Sequence, residues 1–195
     1  RVLREAGFGH DGPLPLQAFA GELLKTRAGK VAYHESHDEA GNAENSARTV
    51  LVAVNHAPLL GATRAVAEAR CRVVAGLSML SAGAPMFFMG EEVAAQKAAK
   101  YNTIGTSKED LHGERAGDGA KMFRYYQDLI RLRRSNPAAK SHHLDVIHAW
   151  DPSRVIAFTR REGSNDLLVI ACLRNIPYWD GYVIDTSSDR LPSGG

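Results

Sequence analysis

An α/β segment followed by an all-β segment is the fold class that this 195-residue sequence predicts. Three observations predict it. The run Val31-Ala32-Tyr33-His34-Glu35-Ser36-His37-Asp38-Glu39 begins with the composition of a buried strand and then turns abruptly into ionisable side chains, as a strand does where it empties into a polar loop. A long helical pattern, a Gly-x-Pro break and the apolar run Met86-Phe87-Phe88-Met89 follow in helix-to-strand order. Residues 155–160 and 167–172 are β-rich runs separated by Glu162-Gly163-Ser164-Asn165-Asp166, a hairpin signal. The expected division is α/β over 1–140 and β over 141–195.

Each element has its own warrant. Leu16, Phe19, Ala20, Leu23 and Leu24 recur at helical spacing, which predicts a helix over 16–27 with one apolar face. Upstream, Gly7-Phe8-Gly9-His10-Asp11-Gly12 formally fits a dinucleotide pattern. Pro13 and Pro15 stand where its helix should open, and no strand precedes it, so no nucleotide site is expected. Thr49-Val50-Leu51-Val52-Ala53-Val54 suits either a short strand or a helical turn. Thr63 is the expected N-cap of a helix over 65–81, with Ala67, Cys71, Val74, Ala75, Leu77 and Met79 as its apolar surface. Gly83 and Pro85 end that helix, and 86–89 is the expected next strand, bounded by Gly90. Residues 93–117, polar and punctuated by glycine, read as a loop. Asp118 is the expected cap of a helix to about Arg134, with Met122, Phe123, Tyr126, Leu129 and Ile130 on one face and Arg131, Arg133 and Arg134 solvated in its last turn. Asn136-Pro137 stops it. His142-His143 reads as surface text, and Tyr182-Val183-Ile184 as a further strand.

Composition narrows the class. With 44% hydrophobic and 24% charged residues the chain is globular rather than disordered. A net charge of +2, evenly spread, gives no electrostatic footprint for nucleic acid. Cys71 and Cys172 fall in apolar stretches and read as buried free thiols of a reducing cytoplasm. No run approaches the roughly 18 apolar residues of a membrane span, and no signal-peptide pattern opens the chain. His34 and His37 are joined by no cysteine or carboxylate set that would complete a tetrahedral metal site, and no cofactor is expected. Opening on Arg1 and closing on Leu191-Pro192-Ser193-Gly194-Gly195, the text reads as a piece of something longer.

The motifs also carry a resemblance. Tyr33-x-Glu35-Ser36-His37-Asp38-Glu39 resembles the His-Asp motif on the seventh barrel strand of the α-amylase superfamily (glycoside hydrolase family 13), closest to its 1,4-α-glucan (glycogen) branching enzymes. Residues 82–92, Ala-Gly-Ala-Pro-Met-Phe-Phe-Met-Gly-Glu-Glu, are similar to that superfamily's last barrel strand and follow at a suitable distance. A helix ending Arg133-x-x-Asn136-Pro137, and β-rich text from Val155, are similar to what closes and follows such a barrel. The resemblance implies that 1–140 form the C-terminal part of a (β/α)8 TIM barrel and 141–195 part of an all-β C-terminal domain.

It implies, too, a glycosyltransferase that cleaves α-1,4-glucan and passes the chain to a 6-hydroxyl, forming α-1,6 branches in glycogen biosynthesis. Asp38 would be the transition-state stabiliser, gripping the 2- and 3-hydroxyls of the distorted sugar, and His37 a substrate-binding donor to the same ring. The superfamily's nucleophile Asp and acid/base Glu sit on its fourth and fifth strands, and neither motif is matched here. Glu35, Glu39, Glu91 and Glu92 read as rim or loop carboxylates paired with lysine or water. The chain alone is therefore expected to be inactive, with α-1,4-glucan and the remainder of the parent barrel as its partners and neither nucleic acid nor membrane among them. Two rivals stay open: a hydrolase of the same superfamily, such as a maltooligosyltrehalose trehalohydrolase, and a non-catalytic glucan-binding module using Trp150, Tyr178 or Trp179.

Overall fold

A computed structural model of the chain describes Leu3 and residues 10–103, 105, 106 and 108–185. Gly7-Phe8-Gly9 of the glycine motif and the ending from Leu191 to Gly195 lie outside those residues. Helix α1, Leu16–Lys25, buries Leu16, Ala20 and Leu23, one face of the predicted pattern. Pro15 at its start offers no side-chain cap, and Asp151, from the turn between two distant strands, accepts the Gln17 N–H at 2.9 Å instead. A short 3-10 turn, Thr26–Ala28, leads to strand β1, Val31–Ala32.

Strand β2, Ala84–Pro85, pairs with β1 in parallel. Lys30 and Ala32 carbonyls accept the Ala84 and Met86 N–H groups, each at 2.9 Å. A Cβ at Gly83 would lie 2.2 Å from the Lys30 carbonyl oxygen, so only glycine lets the two strands meet there. The expected strand at 86–89 does not form. Phe88 N–H donates to Glu91 Oε1 at 2.6 Å, and Gly90, at φ 96°, donates to Glu92, so side chains take the donors a ladder would need.

Between β1 and β2 lie α2, Thr49–Val52, which resolves the strand-or-helix ambiguity in favour of a helical turn, and α3, Ala62–Met79. Thr63 does not cap α3; Gly61 precedes it and no side chain does that work. Its C-terminus is capped from outside. Arg133 donates to the carbonyls of Met79, Ser81 and Gly83, and the fully buried Arg160 to those of Leu80, Ser81, Ser141 and His143. Cations there satisfy orphan carbonyls and oppose the helix dipole, and burial holds the Arg160 guanidinium down to about 10. Arg133 is thus packed rather than solvated.

Helix α4, Leu111–Ala116, interrupts the expected loop, capped by Asp110, which accepts the Gly113 N–H at 3.0 Å. Helix α5, Ala120–Ser135, buries Met122, Tyr126 and Leu129 and is preceded by Gly119 rather than capped by Asp118. Asn136 accepts the Ala138 N–H and starts α6, Pro137–Lys140, with proline in its first turn.

Strands β3, His143–Trp150, β4, Val155–Glu162, and β5, Asn165–Cys172, form an antiparallel sheet in the order β3-β4-β5. The predicted hairpin is β4–β5, with Glu162 opposite Asn165 around a two-residue turn that puts Gly163 at φ 60°. His143 opens β3 instead of lying in surface text, and residues 182–184 form no strand. Cys71 is buried, but Cys172 at the end of β5 is exposed. One core runs through both parts of the chain, joining Leu16, Leu23, Leu77, Met122 and Leu129 to Leu144, Ile156 and Phe158.

Candidate functional site

The polar run after β1 splits at Ser36. Its first half turns inward. Glu35 is 1% exposed; it accepts the Thr49 N–H at 2.6 Å and lies 2.8 Å from Arg48 Nε, in an ion pair whose N–H does not point at the carboxylate oxygen. Arg48, itself buried, donates to the Met89 carbonyl at 3.0 Å and stands over the Phe88 ring. Burial pushes the Glu35 carboxyl above the ordinary glutamate value, the Arg48 charge and Thr49 N–H offsetting only part of that cost.

His34 links the end of β1 to Glu91 and to α3. Its Nε2 lies 2.8 Å from Glu91 Oε2 and its Nδ1 3.1 Å from the Ser78 hydroxyl on α3. Glu91 also accepts the Tyr126 hydroxyl from α5 at 2.9 Å. A carboxylate can only accept, so in the neutral ring Nε2 carries the hydrogen and Nδ1 accepts from Ser78. Among these groups burial pushes both the Cys71 thiol and the Tyr126 hydroxyl well up, which leaves the thiol unreactive. Glu35 and Glu91 are thus buried and paired with Arg48 and His34, not rim carboxylates meeting lysine or water.

The second half turns outward. His37 precedes and Asp38 begins a wide turn, Asp38–Asn42, with side chains 54% and 59% exposed. His37 Nε2 is 3.4 Å from Asp38 Oδ1. The Ser36 hydroxyl accepts the Asp38 N–H and donates to Glu39, whose carboxyl that bond holds below the ordinary glutamate value. Ser46 donates to the Asp38 carbonyl at 3.0 Å. The turn's backbone is tied down while the Asp38 carboxylate keeps hydrogen-bonding capacity for a ligand.

Two residues without a local sequence signal, Asn42 and Tyr101, adjoin this surface. Asn42 Nδ2 donates to the His37 and Ala99 carbonyls, and its Oδ1 accepts the Tyr101 N–H at 3.0 Å. Tyr101, 61% exposed, brings its ring centroid to 5.6 Å from that of His37. Both lie in polar text without periodicity, where nothing local announces a tertiary contact. Glu39 and His34, but neither His37 nor Asp38, line a neighbouring cleft of about 860 Å³ whose walls include Leu16, Phe19, Val74 and Leu77.

Among the described residues no group of three or more His, Cys, Asp or Glu side chains is placed to hold a metal ion, and no helix is long and apolar enough to cross a membrane. No family model matches the chain, and no curated protein matches it either.

Proposed function

We propose that this chain is the C-terminal part of a 1,4-α-glucan branching enzyme, contributing the sugar-gripping side of its active site. One observation carries the reading: β1 and β2 lie parallel and adjacent, and the turn bearing His37 and Asp38 follows the C-terminal end of β1. In a (β/α)8 barrel that end is where substrate is handled. Retaining cleavage of a glycosidic bond needs two carboxyl groups about 5 to 5.5 Å apart, one as nucleophile and one as acid/base, around an oxocarbenium-like transition state. Asp38 is neither of these; it accepts hydrogen bonds from the 2- and 3-hydroxyls as the ring flattens, and His37 donates to the same sugar.

The nucleophile and acid/base come from the remainder of the barrel, and the chain alone has no turnover. Parallel strands are ordinarily covered on both faces and joined by further strands. Here Val31, Tyr33, Met86, Phe87 and Met89 are exposed around the two-stranded pair, a surface that further strands would cover. Two free thiols suit the cytoplasm, where glycogen is made.

Affinity for maltoheptaose, followed by NMR titration of the chain, tests the reading. Asp38→Asn is expected to weaken binding about tenfold, the loss of one charge-assisted hydrogen bond. A second reading, a non-catalytic glucan-binding module, is favoured by Trp179, which is 84% exposed, and Trp150, which is half exposed. Affinity that survives Asp38→Asn and falls on Trp150→Ala or Trp179→Ala would select the module. Complete parent enzyme forming free trehalose instead of α-1,6 linkages would select the hydrolase.

A further inference from the structure

We propose that Tyr101 is a substrate-binding residue of the same surface, stacking on a glucosyl ring whose hydroxyls Asp38 and His37 hold, and that Asn42 is the positioning residue that puts it there. This rests on reading His37 and Asp38 as glucan-binding groups.

The argument begins with the backbone. Residues 40–42 and 98–101 are closed on each other: the Ala99 N–H donates to the Ala40 carbonyl at 2.9 Å, and Asn42 spends its whole amide bridging the His37 and Ala99 carbonyls and the Tyr101 N–H. Gly41 permits this approach. It sits at φ 127°, and a Cβ there would come within 2.7 Å of the Ala98 methyl. A segment far along the chain is thereby fixed to the turn that carries His37 and Asp38.

The ring follows from that anchorage. Tyr101 and His37 rings are inclined at 45° with centroids 5.6 Å apart, so they form an angled aromatic surface beside the Asp38 carboxylate. At 61% exposure Tyr101 contributes little to the core and leaves much of its surface to solvent. A pyranose ring presents an apolar C–H face and a rim of hydroxyls, which matches an aromatic face flanked by a carboxylate and an imidazole. Backbone bonds set where Tyr101 stands, so Asn42 controls the stacking without touching the sugar.

Maltoheptaose titration of the wild-type chain and five variants tests this. Tyr101→Ala is expected to weaken binding about three- to tenfold, and Tyr101→Phe to retain wild-type affinity. Asn42→Ala is expected to weaken binding to the same degree as Tyr101→Ala, and the double variant no further, a non-additivity that a general loss of folding would not produce. Unchanged affinity in Tyr101→Ala, with Asp38→Asn still weakened, overturns the stacking role alone. Equal losses in Tyr101→Phe and Tyr101→Ala overturn it as well. If neither Asp38→Asn nor Tyr101→Ala changes affinity, or the wild-type chain fails to bind, the underlying reading falls with it.

Discussion

His34 and Glu35 belong to the same polar run as His37 and Asp38, yet the two pairs do opposite things. Glu35 is buried and His34 largely so; Glu35 accepts from Thr49 and is ion-paired with Arg48, and His34 meets Glu91 and Ser78. The second pair is more than half exposed, with its backbone fixed and its carboxylate open. Polar groups drawn into the fold and polar groups left facing solvent can stand three residues apart. What separates them is which way the backbone turns at Ser36.

That difference predicts where substitutions hurt stability. Arg48→Met leaves the Glu35 carboxylate buried without its counter-charge, and is expected to cost about 3–5 kcal/mol in urea unfolding. Glu35→Leu added to Arg48→Met removes both charges and should recover most of the loss, because a buried pair is worth little against apolar groups of similar volume. If the single variant melts like wild type, the inward half of the run is not the structural half.

A smaller effect is expected at the other buried carboxylate. Tyr126→Phe withdraws one of the donors that Glu91 accepts while Phe88 N–H and His34 remain, and should cost about 1–2 kcal/mol by the same measurement.

How much of this could be read from the text depends on the kind of interaction. The amphipathic faces of α1, α3 and α5 and the β4–β5 hairpin are local periodicities: the hairpin pairs as expected, and most residues named for the helices are buried, with Phe19, Leu24, Val74, Phe123 and Ile130 only partly so. Caps were less legible. Thr63 and Asp118 have suitable side chains, but α1 is capped by Asp151 and the end of α3 by Arg133 and Arg160, all distant in sequence. His37 and Asp38 are legible only through the resemblance of 33–39 to the His-Asp motif, since a polar pair after a strand is by itself ordinary. Asn42 and Tyr101 have no such signal, since their role exists only once residues 98–101 close on the turn. Strand β3 has little signal in the sequence because polar residues interrupt its alternation and a bulge between Val146 and His148 shifts its register.

The two halves of the run also carry opposite pH signatures. Glu35 is raised above its ordinary value of 4.5, so the stability it contributes is whole below pH 4.5 and lost as pH rises through its folded value. Glu39 is lowered from the same 4.5, so its contribution is whole above pH 4.5 and lost as pH falls through its folded value. Carboxyl-carbon NMR titration should find the Glu35 midpoint above the ordinary glutamate value and the Glu39 midpoint below it. Midpoints shifted in the same direction would mean that the division at Ser36 is not one of burial.

The smallest stability change is expected at Asp38, where the proposed function places the largest loss of binding. Asp38→Asn keeps the side chain's size, leaves the backbone bonds from Ser46 and to Ser36 in place, and removes only an exposed charge 3.4 Å from His37. Exposed ion pairs contribute about 0–1 kcal/mol, so unfolding should move by no more than about 0.5 kcal/mol. A stability cost like that of Arg48→Met would put Asp38 with the residues that hold the fold, and its conspicuous place in the run would then reflect structure rather than a ligand. A negligible cost, joined to weakened glucan binding, would make the outward half of the run the part of this chain that meets sugar.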